Sequence, residues 1–161
     1  MEQKSILIVR GGGDLASGVI HRLYKCGYQV LVLECAKPSA IRRRVSFGEA
    51  VYDGTSSVEG VTGRLIKDIS ECRKVWDEKE ITILVDENAD AVSELNPDAL
   101  IDAILAKKNL GTTRMMAPLT IGLGPGFTAR VDVDYVVETQ RGHNLARVIE
   151  KGTAAPNTGI P

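Results

Sequence analysis

Aromatic side chains are scarce, 4% of the 161 residues, so the core has to be built from Val, Ile, Leu and Ala. Neither sign of charge is in excess. Twenty Lys and Arg face 21 Asp and Glu, a formal charge of −1, which excludes the global basic field on which nucleic-acid binders depend. Long apolar runs are missing: the first, Ile6–Val9, is much shorter than the roughly 7–15 residues of a secretory signal or the about 20 of a membrane span. Cysteine is rare, and Cys26, Cys35 and Cys72 show no CxxC spacing, which argues against a zinc cluster and against a disulfide scaffold. Neither histidine, His21 nor His143, stands in a metal-ligand spacing with them. The expectation is a soluble cytoplasmic protein with no metal site and no nucleic-acid or membrane partner.

What is present is ordinary globular material, 43% apolar and 25% charged, at a length that suits one domain. Glycine is the exception, 16 of 161 residues against a usual share of about 7%. Ser5–Val9 is a short apolar run ending in Arg10 and three glycines, as in a strand buried on both faces. Leu15, Ala16, Val19, Ile20, Leu23 and Tyr24 then recur at helical spacing, with His21 on the exposed side and Gly27 where a helix-stopping residue belongs. Gln29–Leu33 is a second strand, closed by Glu34. Strand, glycine turn, helix and strand within this span make a right-handed parallel βαβ unit.

Further along, a short strand is expected at Ala50–Tyr52 and a helix capped by Ser70 with Cys72, Val75 and Trp76 inward. Ile81–Val85 reads as a strand and Ala89–Leu95 as a short helix. Asn96-Pro97-Asp98 fits either the start of a helix through Lys108 or the turn into a strand, Ala99–Ile104. The βα rhythm favours the strand. Leu119–Ile121 runs into a second glycine turn, Gly122 to Gly126, and Tyr135–Val137 is another strand, while Thr153–Pro161 reads as loop. The expected fold class is α/β and Rossmann-like, a mostly parallel sheet with helices on both faces.

The strongest chemical signal is Gly11-Gly12-Gly13-Asp14-Leu15-Ala16, which fits G-x-G-x-x-G/A in the required strand–turn–helix setting. Glycines let backbone N–H groups approach a phosphate, and the helix dipole attracts it. Glu34 follows at the distance where a carboxylate accepts from a ribose diol. Asp14 competes, since it can cap the same amides. The alternative is a turn that only closes the βα junction. Arg42-Arg43-Arg44 offers guanidinium forks for phosphate, and the alternative is a solvated turn paired with Glu49 or Asp53. An arginine there favours a 2′-phosphate while Glu34 repels one, so NAD and NADP stay open. Lys107, Gly124, Gly126, Arg141 and His143 close other strands, and their convergence at the carboxyl edge of the sheet would make a polyanion pocket. Cys35 would be reactive only beside a cation.

Several blocks together resemble a known family. They are Val9 to Gly18, Ala40-Ile41-Arg42-Arg43 with Val45-Ser46-Phe47, Ile121 to Phe127, Glu138 to Leu145, and Pro156-Asn157-Thr158-Gly159. The chain resembles the opening of the YqeB-type accessory proteins of selenium-dependent molybdenum hydroxylases, which are similar in role to the XdhC/CoxI maturation factors of xanthine dehydrogenase-like enzymes. Arg130 and Ala146 stand where that pattern leads one to expect glycine. The resemblance implies a Rossmann-like domain over residues 1–161, the N-terminal part of a longer chain, that handles molybdopterin or its nucleotide form, with the hydroxylase apoenzyme as partner. Sulfuration or selenation of the cofactor would belong to that role. A homo-oligomer is compatible with it, and no catalytic residue transfers.

Three functions remain to be separated. In a cofactor-maturation factor, Gly11–Gly13 would take the phosphate, Glu34 would accept from a ribose or pterin donor, and Arg43 or Lys107 would add charge. An NAD(P)-dependent oxidoreductase would use the same turn, although none of Tyr24, Tyr28, Tyr52 and Tyr135 has a lysine four residues on. A non-catalytic docking protein would leave the turn empty.

Overall fold

Alternation along the central strands sets the layers of the computed structural model, which describes residues 2–156. In β1 (Ile6–Arg10) and β2 (Gln29–Glu34), Leu7, Val9, Val30 and Val32 face one layer. Ile8, Leu31 and Leu33 face the other. The first layer holds α1 (Asp14–Lys25) and α2 (Ala50–Asp53), through Ala16, Ile20 and Ala50. The second holds α3 (Cys72–Asp77) and α4 (Ala91–Leu95), through Cys72, Val75, Trp76, Ala91 and Val92. Helices therefore cover both faces, as a sheet buried on both sides requires.

The remaining strands are β3 (Thr55–Val58), β4 (Val61–Ile66), β5 (Ile81–Val85), β6 (Ala99–Asp102), β7 (Leu119–Leu123), β8 (Thr128–Ala129), β9 (Tyr135–Val137), β10 (Val148–Ile149) and β11 (Gly152–Thr153). Nine of the eleven strands among the described residues form one sheet in the order β10-β9-β7-β6-β1-β2-β5-β4-β3. All pairs from β4 across to β9 are parallel, and β3 and β10 add antiparallel edges. Read along β5-β2-β1-β6-β7-β9, the order is the 3-2-1-4-5-6 arrangement of dinucleotide-binding sheets. β8 and β11 form a separate antiparallel ribbon. No helix among the described residues is long and apolar enough to cross a membrane.

The opening βαβ unit stands as expected. Gly27 has φ +95°; its N–H donates to Tyr24 O at 2.9 Å and that of Tyr28 to Leu23 O at 3.4 Å, the two bonds of a Schellman end. β5, β9 and the inward residues of α3 also follow the sequence. Ala99–Asp102 is a strand, and Asn96 at φ 47° ends α4 instead of starting a helix.

Four expectations are corrected. Ala50–Tyr52 is helical within α2, because the next strand begins only after Gly54 turns the chain at φ +83°. The unforeseen β3–β4 hairpin follows, turning at Glu59 and Gly60, both with positive φ as a type I′ turn needs. The cap before α3 is Asp68, not Ser70: its carboxylate accepts from Ser70 N at 2.8 Å while Glu71 accepts from Asp68 N at 3.0 Å, a capping box. His21 is half-buried, with Nε2 lacking a partner among the described residues. Thr153 lies in β11 and Ala154 is buried against Phe127 and Val136, so the expected loop starts later. Residues 157–161 lie outside the described residues, and so does most of the Pro156–Gly159 block.

Candidate functional site

Each glycine of the first turn answers a different demand. Gly11 prolongs β1, donating to Leu33 O at 2.8 Å. It has φ +95°, and a Cβ there would lie 2.8 Å from Ala103 O, so only glycine fits. Gly12 is pressed against Gly48, whose N–H donates to Gly12 O at 2.8 Å, and a Cβ on Gly12 would meet that nitrogen at 3.0 Å. The Ser17 hydroxyl holds the same carbonyl at 3.2 Å and accepts from Phe47 N at 2.9 Å. Gly13 has neither demand. It caps α1 at φ −68°, and a Cβ there would have nothing within 4 Å. What its bareness provides is open space before the helix.

No side chain among the described residues caps α1. Asp14, able to compete for these amides, is exposed and makes no such bond. The first-turn N–H groups are thus the orphan donors of a twelve-residue helix, with the positive end of its dipole behind them. They open onto a cleft of about 560 Å³ at the carboxyl ends of β1, β2, β5 and β6. It lies where the chain order reverses between β1 and β6, the place at which open α/β sheets bind ligands.

The walls are acidic and apolar. Asp14, Glu34, Asp86 and Glu87 line the cleft, as do Ala103, Ile104, Leu105 and Leu110. Three of the carboxylates are engaged by backbone. Glu34 accepts from Gly12 N at 2.6 Å and Cys35 N at 2.9 Å, so its first task is to hold the glycine turn. Its further lone pairs remain for a ligand donor. Asp86 accepts from Asp90 N at 3.0 Å and Ala91 N at 2.9 Å, and Glu87 from Ala36 N at 3.3 Å. Cys35 stands half-buried on the same wall. Burial pushes its thiol up against a lowering backbone hydrogen bond at Lys37, and the Glu34 and Glu87 charges push it further. The neutral thiol is therefore favoured, and the cation that reactivity would need is not among its influences.

The expected convergence of cations and glycine turns falls only partly within this cleft. Gly11, Gly13, Asp14 and Glu34 share the cleft, with Gly12 locked beneath; Arg43, Lys107, Gly124, Gly126, Arg141 and His143 do not line it. Arg43 is exposed with Nε 3.7 Å from Glu49, the solvated-turn alternative. Lys107, Arg141 and His143 are exposed in loops, Lys107 between the cleft-lining Leu105 and Leu110. Gly124 and Gly126, at φ +80° and +107°, are required by packing. A Cβ would meet Thr139 Oγ1 at 2.9 Å in one case and Lys108 Cα at 2.7 Å in the other. Gly122 similarly makes room for the Phe127 ring.

Sequence reasoning passed over Arg10 and Asp102, register partners at the ends of β1 and β6. Both are buried and both bond Thr112. Their signal was a charged residue closing an otherwise apolar strand. Arg130 and Ala146, standing where glycine was expected, have φ 71° and 65°: the backbone keeps the left-handed turn although the residue is not glycine.

Comparison with known proteins finds a protein of Escherichia coli (strain K12) named "Uncharacterized protein YqeB", 50% identical over 156 residues. That span is 97% of this chain and 29% of YqeB, so the chain covers under a third of the curated relative it matches. No family model and no solved structure matches.

Proposed function

Starting from similarity to YqeB, which supports membership of that family, we propose that this chain is the ligand-binding part of an accessory factor for a molybdenum hydroxylase. Its cleft would hold molybdopterin or the nucleotide form. The carrying observation is the uncapped first turn of α1, opening through bare Gly13 onto the switch-point cleft. The residues fit such a molecule at three points. Orphan amides of α1 suit its phosphate, and Glu34 retains acceptor capacity for a ribose hydroxyl or a pterin N–H. The apolar wall of Ile104, Leu105 and Leu110 suits a flat ring. The pterin supplies the dithiolene that carries molybdenum, and this chain's residues bind and orient. Sulfuration or selenation is the step this role would serve, and no cleft residue is assigned to it.

One observation favours a second reading. The 3-2-1-4-5-6 strand order and Glu34 closing β2 equally suit a nicotinamide dinucleotide, as NAD rather than NADP because Glu34 would repel a 2′-phosphate. Titrating the protein with molybdopterin, its cytosine dinucleotide, NADH and NADPH separates the two. Saturable binding of a pterin form, abolished by Gly13→Asp, is the expected result. Saturable NADH binding without pterin binding would transfer the cleft to the dinucleotide reading, and binding of none would remove both.

A further inference from the structure

Arginine is seldom fully buried without a carboxylate against it, because a guanidinium taken out of water needs its charge compensated. Arg10 is 3% exposed, yet the ion pairs among the described residues are Arg43–Glu49, Arg64–Glu80 and Arg114–Asp134, and none includes it. Its partners are neutral oxygens. Nη1 donates to Thr112 Oγ1 at 2.8 Å and Leu110 O at 3.3 Å, and Nη2 to Glu87 O at 2.9 Å and Leu110 O at 3.3 Å. Asp102, 1% exposed, stands behind Thr112, whose hydroxyl donates to it at 2.6 Å. The counter-charge is thus one hydrogen bond removed.

Arg10 also lines the cleft, directly before the glycine turn. We propose that Arg10 is the cation of this site, its buried charge drawing a phosphate or pyrophosphate group to the first-turn amides of α1. The inference rests on reading the cleft as a phosphate-ligand site and deepens it. Four carboxylates line the walls, and the helix end supplies only about half a unit of positive charge. Arg10 is the cationic side chain among the lining residues. Its fork is fixed by carbonyls from both sides of β1, Glu87 after β5 and Leu110 after β6. The charge is therefore already in place before a ligand arrives, in surroundings where it is weakly screened.

Pyrophosphate is the probe, and the amide resonances of Gly13 to Ala16 are the reporter. Wild-type protein should show saturable shifts at these amides. Arg10→Gln keeps donors but not charge, and should weaken binding about tenfold or more. Arg10→Lys keeps the charge and loses the fork, and should stay within about threefold of wild type. Asp102→Asn removes the nearby negative charge and should tighten binding. A purely structural Arg10 predicts a different pattern: the Lys and Gln variants would lose binding in step with their thermal stability, and Asp102→Asn would weaken it. That pattern overturns the inference, as does equal affinity in wild type and Arg10→Gln. If Arg10→Gln does not fold, the other two variants decide: near-wild-type binding in Arg10→Lys with tighter binding in Asp102→Asn supports the charge role, and weaker binding in both overturns it. Absence of amide shifts in the wild type removes the phosphate reading itself, and the proposal with it.

Discussion

Gly11 and Gly13 lie two residues apart and answer to different masters, one to the fold and one to the cleft. Gly11 combines φ +95° with a carbonyl where a Cβ would go. Alanine there should cost about 2 kcal/mol or more, through left-handed strain and displacement of Ala103. Gly13→Ala meets neither obstacle, and should leave stability within about 0.5 kcal/mol of wild type while weakening ligand binding. Trp76, the lone tryptophan, is buried with Nε1 donating to Val30 O at 3.1 Å, so its fluorescence in urea measures both. A large loss at Gly13 or none at Gly11 would show that the division of labour is wrong. Glu34 carries a similar lesson. The sequence marks it as a ligand acceptor, but two backbone amides already occupy it. Replacing it therefore disturbs the turn before it touches any ligand.

At the scale of elements, legibility followed hydrophobic content. β1, β2 and β5 are nearly continuous apolar runs and announce themselves. β3 is Thr-Ser-Ser-Val, with too little apolar character to stand out from a glycine-rich loop. The short helix α2 carries Val51 and Tyr52, residues that locally suit a strand. The second glycine turn is ambiguous for a related reason: glycine density marks close packing as readily as ligand approach, and Lys108 and Phe127 crowd Gly126 and Gly122. The connection from β9 to β10 tests how far a turn tolerates the wrong residue. Ala146 sits in it at φ 65°, exposed, its N–H donating to Glu138 O at 2.8 Å. Relief of left-handed strain by Ala146→Gly should stabilise by about 1 kcal/mol, less the entropy glycine adds to the unfolded chain. A shift of the urea midpoint to lower concentration would mean that the turn is not strained.

Across the whole molecule, the crossover helices belong to the first half. From β6 onward the parallel strands are joined by long irregular connections, and multiply bonded carboxylates, one half-buried and one buried, supply the order that helices give elsewhere. Asp134 accepts from Thr120 N and Arg114 Nε, both at 2.9 Å, fastening β7 to the loop before β9. Glu138, 6% exposed, accepts from Thr139 N, Gln140 N and Ala155 N, and so ties the chain beyond β11 to the end of β9. Burial alone would raise both carboxyls. At Glu138 the three amide donors outweigh it, and at Asp134 Thr120 and Arg114 do, so both are held below their ordinary values of 4.5 and 3.8. The sign follows from linkage. A folded-state carboxyl lowered below its unfolded value contributes stability that is complete above the unfolded value and lost as pH falls through the folded one. The urea midpoint should therefore stay level from neutral pH to about 5 and fall steeply below about 4.5. Glu138→Gln should lower stability at pH 7 by about 1–3 kcal/mol, since an amide offers one acceptor oxygen to three donors. It should also make the acid limb shallower, because one of the groups that must be protonated there is gone. An acid limb as steep in Glu138→Gln as in wild type would show that this carboxylate does not hold the second half of the sheet together.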